Sequence, residues 1–359
     1  MHQLELWTQG QARAAAPSTR LRRVVQAHSG RSASSVLAAS CIDPDLVPEI
    51  PHDPELVRLR VDVNEFVRQA RAGATRKAYS SDWRLFEAWC ARYGEQALPT
   101  SPVTLALYLA HLAKLGRKYS TIRRARTAIG QVHAAARLGR PDLDARVRTL
   151  ERGIGRSIGT REKGASPLCV AELALAIGTL HNSVRDVRDR ALLLLGFACG
   201  YRASDLVTLD VEHVQFREGA LHVFLPRSKE DQLGRGRTTT IPTAMLAALC
   251  PVHALQSWLE LAALCTGPLF RVISGARVCD ERMHPRAVSR AVQRAAKRAG
   301  IPGDYSSHSL RAGLATSADA HGHSLRAIQH HVGWLDARTP TRYIDPSRGP
   351  ERSVVVGLL

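Results

Sequence analysis

The stretch that decides the fold is residues 200–242, GYRASDLVTLDVEHVQFREGALHVFLPRSKEDQLGRGRTTTIP. It begins where a helical pattern, VRDVRDRALLLLGFACG (184–200), stops at a glycine, and its hydrophobic period then changes. The segments VEHVQFREG, ALHVFLPRSK and RTTTIP predict three short strands joined by turns. Helical patterns resume afterwards and continue to about residue 345. Residues 168–345 are therefore predicted to form an α+β domain, mainly helical with one small antiparallel sheet.

Residues 55–156 carry a different pattern, in which apolar residues recur at helical spacing. The segments TRKAYSSDWRLFEAWCARYG (75–94), SPVTLALYLAHLAKLG (101–116) and YSTIRRARTAIGQVHAAARLG (119–139) carry glycines where helices are expected to stop. Ser101 followed by a proline is typical of a helix start. This part of the chain is predicted to be a compact, all-helical domain.

Three segments lie outside these two domains. Residues 1–54 are rich in Ala, Ser, Arg and Gln without sustained periodicity, and they predict a disordered basic leader. Residues 157–167 are polar and contain Gly and Ser, which predicts an interdomain linker. Residues 346–359 form a tail that ends in VVVGLL, which is too short to build a core of its own. The expected fold class is mainly α, with two domains.

The charge of the chain predicts a polyanionic partner. Its 359 residues include 50 Lys plus Arg against 32 Asp plus Glu, a formal net charge of +18 at pH 7. No apolar run approaches the ~20 residues that cross a bilayer, and the N-terminus lacks the pattern of a signal peptide. These features favour nucleic acid over a membrane.

No metal or cofactor is predicted. The sequence has no GxxxxGK[ST] loop, no HExxH and no clustered carboxylate pair. His321, His323, His330 and His331 are poorly spaced for a single metal site, so solvent-facing or capping roles are favoured. The seven cysteines are scattered without CxxC pairs and are expected to be reduced.

Candidate chemistry begins at Arg202, which follows a helix end at Gly200 and precedes Ser204, the expected N-cap of a short helix. A lone arginine at such a junction usually forms a surface salt bridge. His308 and Arg311 are three residues apart in HSLRAG, at a predicted helix start capped by Ser306 or Ser307, so they share one face. Neither motif is specific alone.

Two further candidates lie in connecting segments. Lys229 falls in the predicted hairpin between ALHVFLP and RTTTIP, where a long side chain could reach a cleft or simply stay solvated. Tyr343 follows DARTPTR, and an isolated tyrosine is usually a packing residue with a hydrogen-bonded hydroxyl. A phenol becomes a nucleophile only where cations and a base favour the phenolate.

Taken together, these residues resemble the tyrosine recombinase and integrase family in order, spacing and element type. Arg202 in GYRASDL, Lys229 in a hairpin, HSLR at 308–311, and Trp334 in VGW followed nine residues later by Tyr343 carry the resemblance. The helical domain is similar to the core-binding (SAM-like) domain of Cre-type recombinases. Trp334, in place of a commoner histidine, is also Cre-like, and Asp205 stands where many relatives have glutamate.

The resemblance implies a role for each residue. Tyr343 would attack the scissile phosphate to give a 3′-phosphotyrosine, with Arg202 and Arg311 on its non-bridging oxygens. His308 would accept the phenolic proton and Trp334 would donate its indole N–H to the phosphate. The two remaining assignments are Lys229 as the acid for the departing 5′ oxygen and Asp205 as a support of the catalytic residues.

The resemblance also implies where DNA binds. In HPRAVSRAVQRAAKRAG (284–300) a basic stripe faces away from an apolar one, which alone could be a solvated face but in a DNA enzyme would enter the major groove. Its members are Arg286, Arg290, Arg294 and Lys297. A second candidate surface on the helical domain consists of Arg123, Arg126 and Arg137. Two domains joined by a linker would clamp a duplex.

The function expected from this resemblance is site-specific DNA recombination in a bacterial cytoplasm, associated with the nucleoid. The expected partners are double-stranded DNA with inverted-repeat sites and three further copies of the chain in a homotetramer, with the tail 346–359 docking on a neighbour. Two alternatives stay open. One is a type IB topoisomerase-like strand transferase, and the other is a DNA-binding protein without catalysis.

Overall fold

A computed structural model describes residues 73–160, 164–231, 233–336 and 340–343, together with a few residues between 53 and 63. The chain divides into two compact units, Met1–Glu162 and Lys163–Leu359. The predicted tail and all but one residue of the predicted leader lie outside the described residues, as do most of residues 55–72 at the start of the predicted helical domain. No described helix is both long and apolar enough to cross a bilayer.

The first unit is built from helices, as the apolar spacing predicts. Ser101 caps the second of them, since its Oγ accepts the Thr104 N–H at 3.0 Å and Pro102 occupies the first turn. Trp83, Phe86 and Leu109 are buried in the core between these helices. The described helices are α1 (Gly73–Tyr93), α2 (Pro102–Lys114), α3 (Tyr119–Ala135) and α4 (Ala145–Ile158), with a 3₁₀ turn at Pro141–Leu143.

The second unit is mainly helical and carries two small sheets. Its helices are α5 (Val170–Gly178), α6 (Val184–Cys199), α7 (Ala203–Thr208), α8 (Pro251–Leu261), α9 (Pro285–Arg298), α10 (Ser307–Ala320) and α11 (Leu325–Val332). The 3₁₀ turns described in this unit lie at Val211–His213, Ala247–Leu249 and Pro340–Tyr343. The predicted fold class, mainly α with a small antiparallel sheet in the second part, is confirmed.

The predicted three-stranded sheet forms with strands β1 (Val214–Arg217), β2 (Ala220–Leu225) and β3 (Arg237–Pro242), all antiparallel in that order. One face is buried, with Leu221 opposite Ile241 and Val223 opposite Thr239. This alternation satisfies the period-2 pattern seen in the sequence. The sheet therefore packs on the main core of the second unit.

A second sheet was not predicted. Strands β4 (Arg271–Ser274) and β5 (Arg277–Arg282) form a hairpin where helical patterns were expected to resume. Gly275 in its turn has φ 62°, which glycine adopts without strain. The prediction of a single sheet is therefore wrong. The two strands are too short to show a long alternating pattern, so the glycine in the turn is the main sign of this hairpin in the sequence.

The structure describes both ends of the segment predicted as a linker. Helix α4 continues to Ile158, two residues further than its apolar pattern indicates. On the other side, the Ser166 N–H donates to the Asp304 carbonyl at 2.8 Å and the Leu168 N–H donates to the Ser309 carbonyl at 2.9 Å. Residues 166–168 therefore belong to the second unit, and they run against the start of α10.

Candidate active site

The first part of the site is the junction between α6 and α7. Helix α6 ends at Cys199, and Gly200 turns the chain with φ 61°, where an added Cβ would lie only 2.9 Å from Leu314 Cδ2. Arg202 lies two residues after this turn, so the turn helps to position its side chain. Because Gly200 combines a left-handed backbone with a close neighbour, a larger residue there would displace this junction.

Asp205 fixes the backbone at Arg202. Its Oδ2 accepts the Arg202 N–H at 3.3 Å and its Oδ1 accepts the Ser204 hydroxyl at 3.2 Å, while the side chain is buried. Helix α7 begins at Ala203 with Arg202 as the flanking residue, so the expectation that Ser204 is the N-cap is wrong. The physical reason is that the Asp205 carboxylate, at the third position of α7, accepts the backbone N–H of Arg202.

Helix α10 supplies the next two residues. Ser306 caps it, accepting the His308 N–H at 3.2 Å, as predicted. Arg311 is 1% exposed, and its Nη1 donates to the Gly200 carbonyl at 2.6 Å. Its Nη2 is buried without a hydrogen-bond partner among the described residues. A buried donor without an acceptor is costly, so this N–H is a candidate donor to a bound group.

Trp334 and Tyr343 stack on each other beside α10. Their ring centroids are 5.3 Å apart with an interplanar angle of 3°, and the Arg311 guanidinium lies 4.9 Å from the Trp334 centroid. Both aromatic residues pack on a small cluster formed by Ala315, Ile328 and Val332. The aromatic pair is therefore held against the same helix that carries Arg311.

A short contact in the site joins the His308 ring to the Tyr343 phenol. His308 Nε2 lies 2.6 Å from Tyr343 Oη, and the Thr316 hydroxyl donates to the Tyr343 carbonyl at 3.1 Å. Tyr343 ends the 3₁₀ turn Pro340–Tyr343, so both its backbone and its phenol are positioned by α10. An unprotonated Nε2 in this position can accept the phenolic proton.

The electrostatics of the site depend on its arginines. Desolvation, followed by the charges of Arg311 and Arg202, lowers the pKa of His308 below its ordinary value. Desolvation and the charge of Arg202 lower the pKa of Arg311 to about 10, although Glu230 and Asp205 oppose this effect. At neutral pH, His308 is therefore mostly neutral and Arg311 is still a cation.

The connection between β2 and β3, residues 226–236, brings an acidic residue into the site. Lys229 is exposed on this connection, and the next residue, Glu230, forms an ion pair between its Oε1 and Arg202 Nη2. Glu230 Oε2 also accepts the Leu335 N–H at 3.2 Å. Sequence reasoning missed Glu230, and its only signal was its position beside Lys229.

The structure thus gathers most of the predicted site residues in one place. Direct contacts link Arg311 to Trp334, Trp334 to Tyr343, and Tyr343 to His308. Arg202 joins them through Asp205, Glu230 and its charge interaction with Arg311. Lys229 is exposed on the connection between β2 and β3, and the next residue, Glu230, contacts Arg202.

The predicted basic stripe lies on α9. Arg286, Arg290 and Lys297 are exposed, whereas Arg294 Nη2 is 2.6 Å from Asp189 Oδ2 on α6. Most of the stripe is therefore accessible, while Arg294 also ties two helices together.

On the first unit, Arg123 is exposed on α3 and Arg137 is exposed just after it. Arg126 differs from both, because its Nη1 is 2.6 Å from Glu151 Oε2 and its side chain is largely buried. This internal ion pair competes with any contact between Arg126 and DNA.

The predicted metal candidates do not assemble in the described part of the chain, where no group of three His, Cys, Asp or Glu side chains could hold an ion. His321 Nδ1 contacts the Ser317 carbonyl at 2.7 Å, and His331 Nε2 contacts the Ala198 carbonyl at 2.7 Å. Both histidines therefore make backbone contacts within the second unit. Six cysteines fall in the described residues, and all are free thiols.

Comparisons with known proteins agree with this geometry. Residues 170–349 match the model of the phage integrase family. An integrase/recombinase xerD homolog of Selenomonas ruminantium is 34% identical over 294 residues, covering 80% of this chain and 86% of the relative.

Solved structures show the same fold. The XerH site-specific recombinase bound to palindromic difH substrate matches with a TM-score of 0.59 at 17% identity, covering 87% of this chain and 90% of that one. A lambda integrase tetramer bound to a Holliday junction matches with a TM-score of 0.53 at 17% identity, covering 84% of each chain.

The fold and the sequence relationships together define a tyrosine-type site-specific recombinase, an enzyme that cleaves and rejoins DNA. The chain belongs to the phage integrase family.

Proposed function

We propose that this recombinase cleaves DNA through a 3′-phosphotyrosine intermediate in which Tyr343 is the nucleophile. The observation that carries this proposal is the 2.6 Å contact between Tyr343 Oη and His308 Nε2, beside a buried arginine. A phenol is a weak nucleophile until a base takes its proton and cations favour its anion. Both requirements are met at this position.

His308 is the proton acceptor. The protein around it and the neighbouring arginines lower its pKa, so the ring is neutral at the pH at which it must accept a proton. As the phenolic oxygen attacks phosphorus, its proton passes to Nε2. The P–O bond to the 5′ oxygen then breaks, and one phosphodiester is replaced by another.

Arg202 and Arg311 bind the non-bridging oxygens of the scissile phosphate. Arg311 Nη2 is a buried donor without a described partner, which is consistent with a phosphate ligand at that position. Two guanidinium groups stabilise the negative charge that builds on the non-bridging oxygens in the transition state. Trp334 contacts both the Arg311 guanidinium and the Tyr343 ring. Its indole N–H donates to the phosphate in this proposal.

Lys229 protonates the departing 5′ oxygen, because an alkoxide is a poor leaving group without a proton. Its place on an exposed connection next to Glu230 supports this role, since a long side chain there can approach the site when DNA is present. Asp205 acts on Arg202 by holding its backbone N–H, and is a positioning residue.

The substrate is duplex DNA carrying inverted-repeat sites, and the active form is a homotetramer on two sites. The net charge of +18 and the exposed Arg286, Arg290 and Lys297 on α9 support phosphate binding. The related lambda integrase has been solved as a tetramer on a Holliday junction. In this proposal residues 55–156 and 168–345 form the two DNA-clamping domains joined by the 157–167 segment. The leader and the tail fall outside the described residues.

Replacing the nucleophile tests the proposal. Tyr343→Phe should bind a nicked duplex that carries an inverted-repeat recombination site with unchanged affinity. It should form no covalent protein–DNA complex, since only the attacking oxygen is lost. Denaturing gels measure the covalent complex and gel shifts measure binding. A covalent complex formed by the phenylalanine variant would disprove the assignment of Tyr343.

A second measurement separates recombination from simple strand transfer. The wild-type protein should join two differently marked DNA molecules that carry the same site. Relaxation of supercoiled DNA without joining would instead favour the topoisomerase-like alternative.

A further inference from the structure

Glu230 is a carboxylate in a pocket that the proposed mechanism assigns to a phosphate. Its Oε1 pairs with Arg202 Nη2, and each side chain is only about one quarter exposed, at 25% and 26%. Its other oxygen, Oε2, accepts the Leu335 N–H at 3.2 Å. Both carboxylate oxygens are therefore used by groups of the active site.

This contact competes directly with substrate. Arg202 presents one guanidinium, and a carboxylate on it occupies the donor that a phosphate oxygen would use. Glu230 also offsets the mutual repulsion of Arg202 and Arg311, which lie close enough for their charges to interact. The DNA-free enzyme therefore stabilises its paired cations with an internal anion.

The same residue links two segments of the candidate site. Glu230 directly follows Lys229, so the two residues move together. A local network also holds the connection, because the Asp231 N–H donates to Ser228 Oγ at 3.1 Å and the Gly236 N–H donates to Asp231 Oδ2 at 2.8 Å. On the other side, the Leu335 N–H that Glu230 accepts directly follows Trp334.

We propose that Glu230 is an anionic gate, which occupies the phosphate position on Arg202 until the scissile phosphate displaces it and releases the connection that carries Lys229. This inference rests on the proposed assignment of Arg202 to the phosphate. It adds a coupling between substrate binding and delivery of the general acid.

Anion binding to the DNA-free, full-length protein tests the gate without requiring cleavage. The probe is inorganic phosphate, measured by isothermal titration calorimetry. Glu230→Gln should bind phosphate about tenfold more tightly than wild type, as expected for removal of one close, partly buried charge competitor. Glu230→Asp keeps the charge and should bind phosphate more weakly than Glu230→Gln.

Two controls isolate the pocket. Glu218→Gln removes the same charge from an exposed position on the turn between β1 and β2, and should bind phosphate as wild type does. In the double variant Glu230→Gln/Arg202→Ala the gain should disappear. Equal phosphate affinity in wild type and Glu230→Gln, or a gain that survives loss of Arg202, would refute the gate.

The nicked duplex supplies the second arm. Glu230→Gln should form the Tyr343-dependent covalent complex several-fold faster at subsaturating DNA, since no internal anion has to leave. A slower reaction would mean that Glu230 positions Arg202 for catalysis, and would overturn the gate while leaving the proposed function intact. Failure of the wild-type protein to form a Tyr343-dependent complex would instead overturn the proposed function.

Discussion

The two halves of the candidate site differ in how firmly they are held. The helical half consists of His308, Arg311, Trp334 and Tyr343, which contact one another around α10, and Arg311 is 1% exposed. The loop half consists of residues 226–236, on which Lys229 is exposed. The groups proposed to activate the nucleophile and to bind the phosphate are thus held by contacts with one another. Lys229, the proposed acid, lies at an exposed position.

This difference has a chemical rationale. Charge stabilisation is most effective where donors are fixed in a water-poor site before the reaction begins. A general acid is needed only when the P–O bond to the 5′ oxygen breaks, so it can arrive with the substrate. Variants in the helical half should therefore affect both folding and catalysis, while variants in the loop half should leave folding almost unchanged.

The largest expected effect comes from Arg311→Ala. The change removes a phosphate ligand and leaves the Gly200 carbonyl without its 2.6 Å donor. We expect covalent-complex formation to fall by about 10³-fold and the free energy of unfolding to fall by ~2–4 kcal/mol. Nicked-duplex cleavage and urea denaturation measure the two quantities.

Arg311→Lys is the matched control, because it keeps a positive charge but loses the fork of donors. It should recover part of the lost stability and little of the rate. Wild-type cleavage by either variant would show that the helical half does not bind the phosphate.

Lys229→Ala should give a smaller effect of a different kind. Because the side chain is exposed, the free energy of unfolding should change by less than about 0.5 kcal/mol. Cleavage should fall by about 10²-fold through loss of the proton donor. A 5′-phosphorothiolate substrate should restore the rate, since a thiolate leaves without a proton.

The rescue separates the two halves of the site. The phosphorothiolate should not restore cleavage by Arg311→Ala, whose defect is in charge stabilisation. Lack of rescue of Lys229→Ala would contradict the assignment of Lys229 as the acid.

The sequence predicts the elements of this molecule better than it predicts their contacts. The change of period at residue 200 and the Ser306 cap both appear in the structure, because each is decided by local patterns. The gathering of His308 and Tyr343, 35 residues apart, was expected only from resemblance to a family. Apolar spacing alone does not identify which polar groups meet.

The misses have a common cause. Ser204 was expected to cap α7, but the helix begins after Arg202, whose N–H donates to Asp205. The expectation that Arg126 contacts DNA stays a prediction, but its pair with Glu151 at 2.6 Å was not anticipated. Glu230 was overlooked, although it reaches Arg202. In each case tertiary packing decides which group a polar side chain contacts. The sequence alone offers several charged residues as equally suitable partners.

The smallest expected effect is the pH dependence of cleavage, which tests whether the helical half works as described. His308 must be neutral to accept the phenolic proton, and its pKa is lowered by desolvation and by Arg311 and Arg202. A lowered pKa extends the neutral form to lower pH. The rate at subsaturating DNA should therefore be flat from pH 8 to 7 and fall less than about twofold by pH 6.5, the ordinary pKa of histidine.

Subsaturating DNA is essential to this measurement, because the profile then reports the free enzyme and not the complex with a phosphate beside the ring. A second histidine, His133, makes a control for loss of structure necessary. Burial also lowers its pKa, and its Nε2 accepts the Thr100 N–H at 2.9 Å, so its protonation below pH 6.5 destabilises the first unit. Circular dichroism at each pH separates that loss of structure from loss of the base. A cleavage inflection above pH 6.5 in fully folded protein would mean that the arginines do not act on His308, and that the proton of Tyr343 is taken by another group.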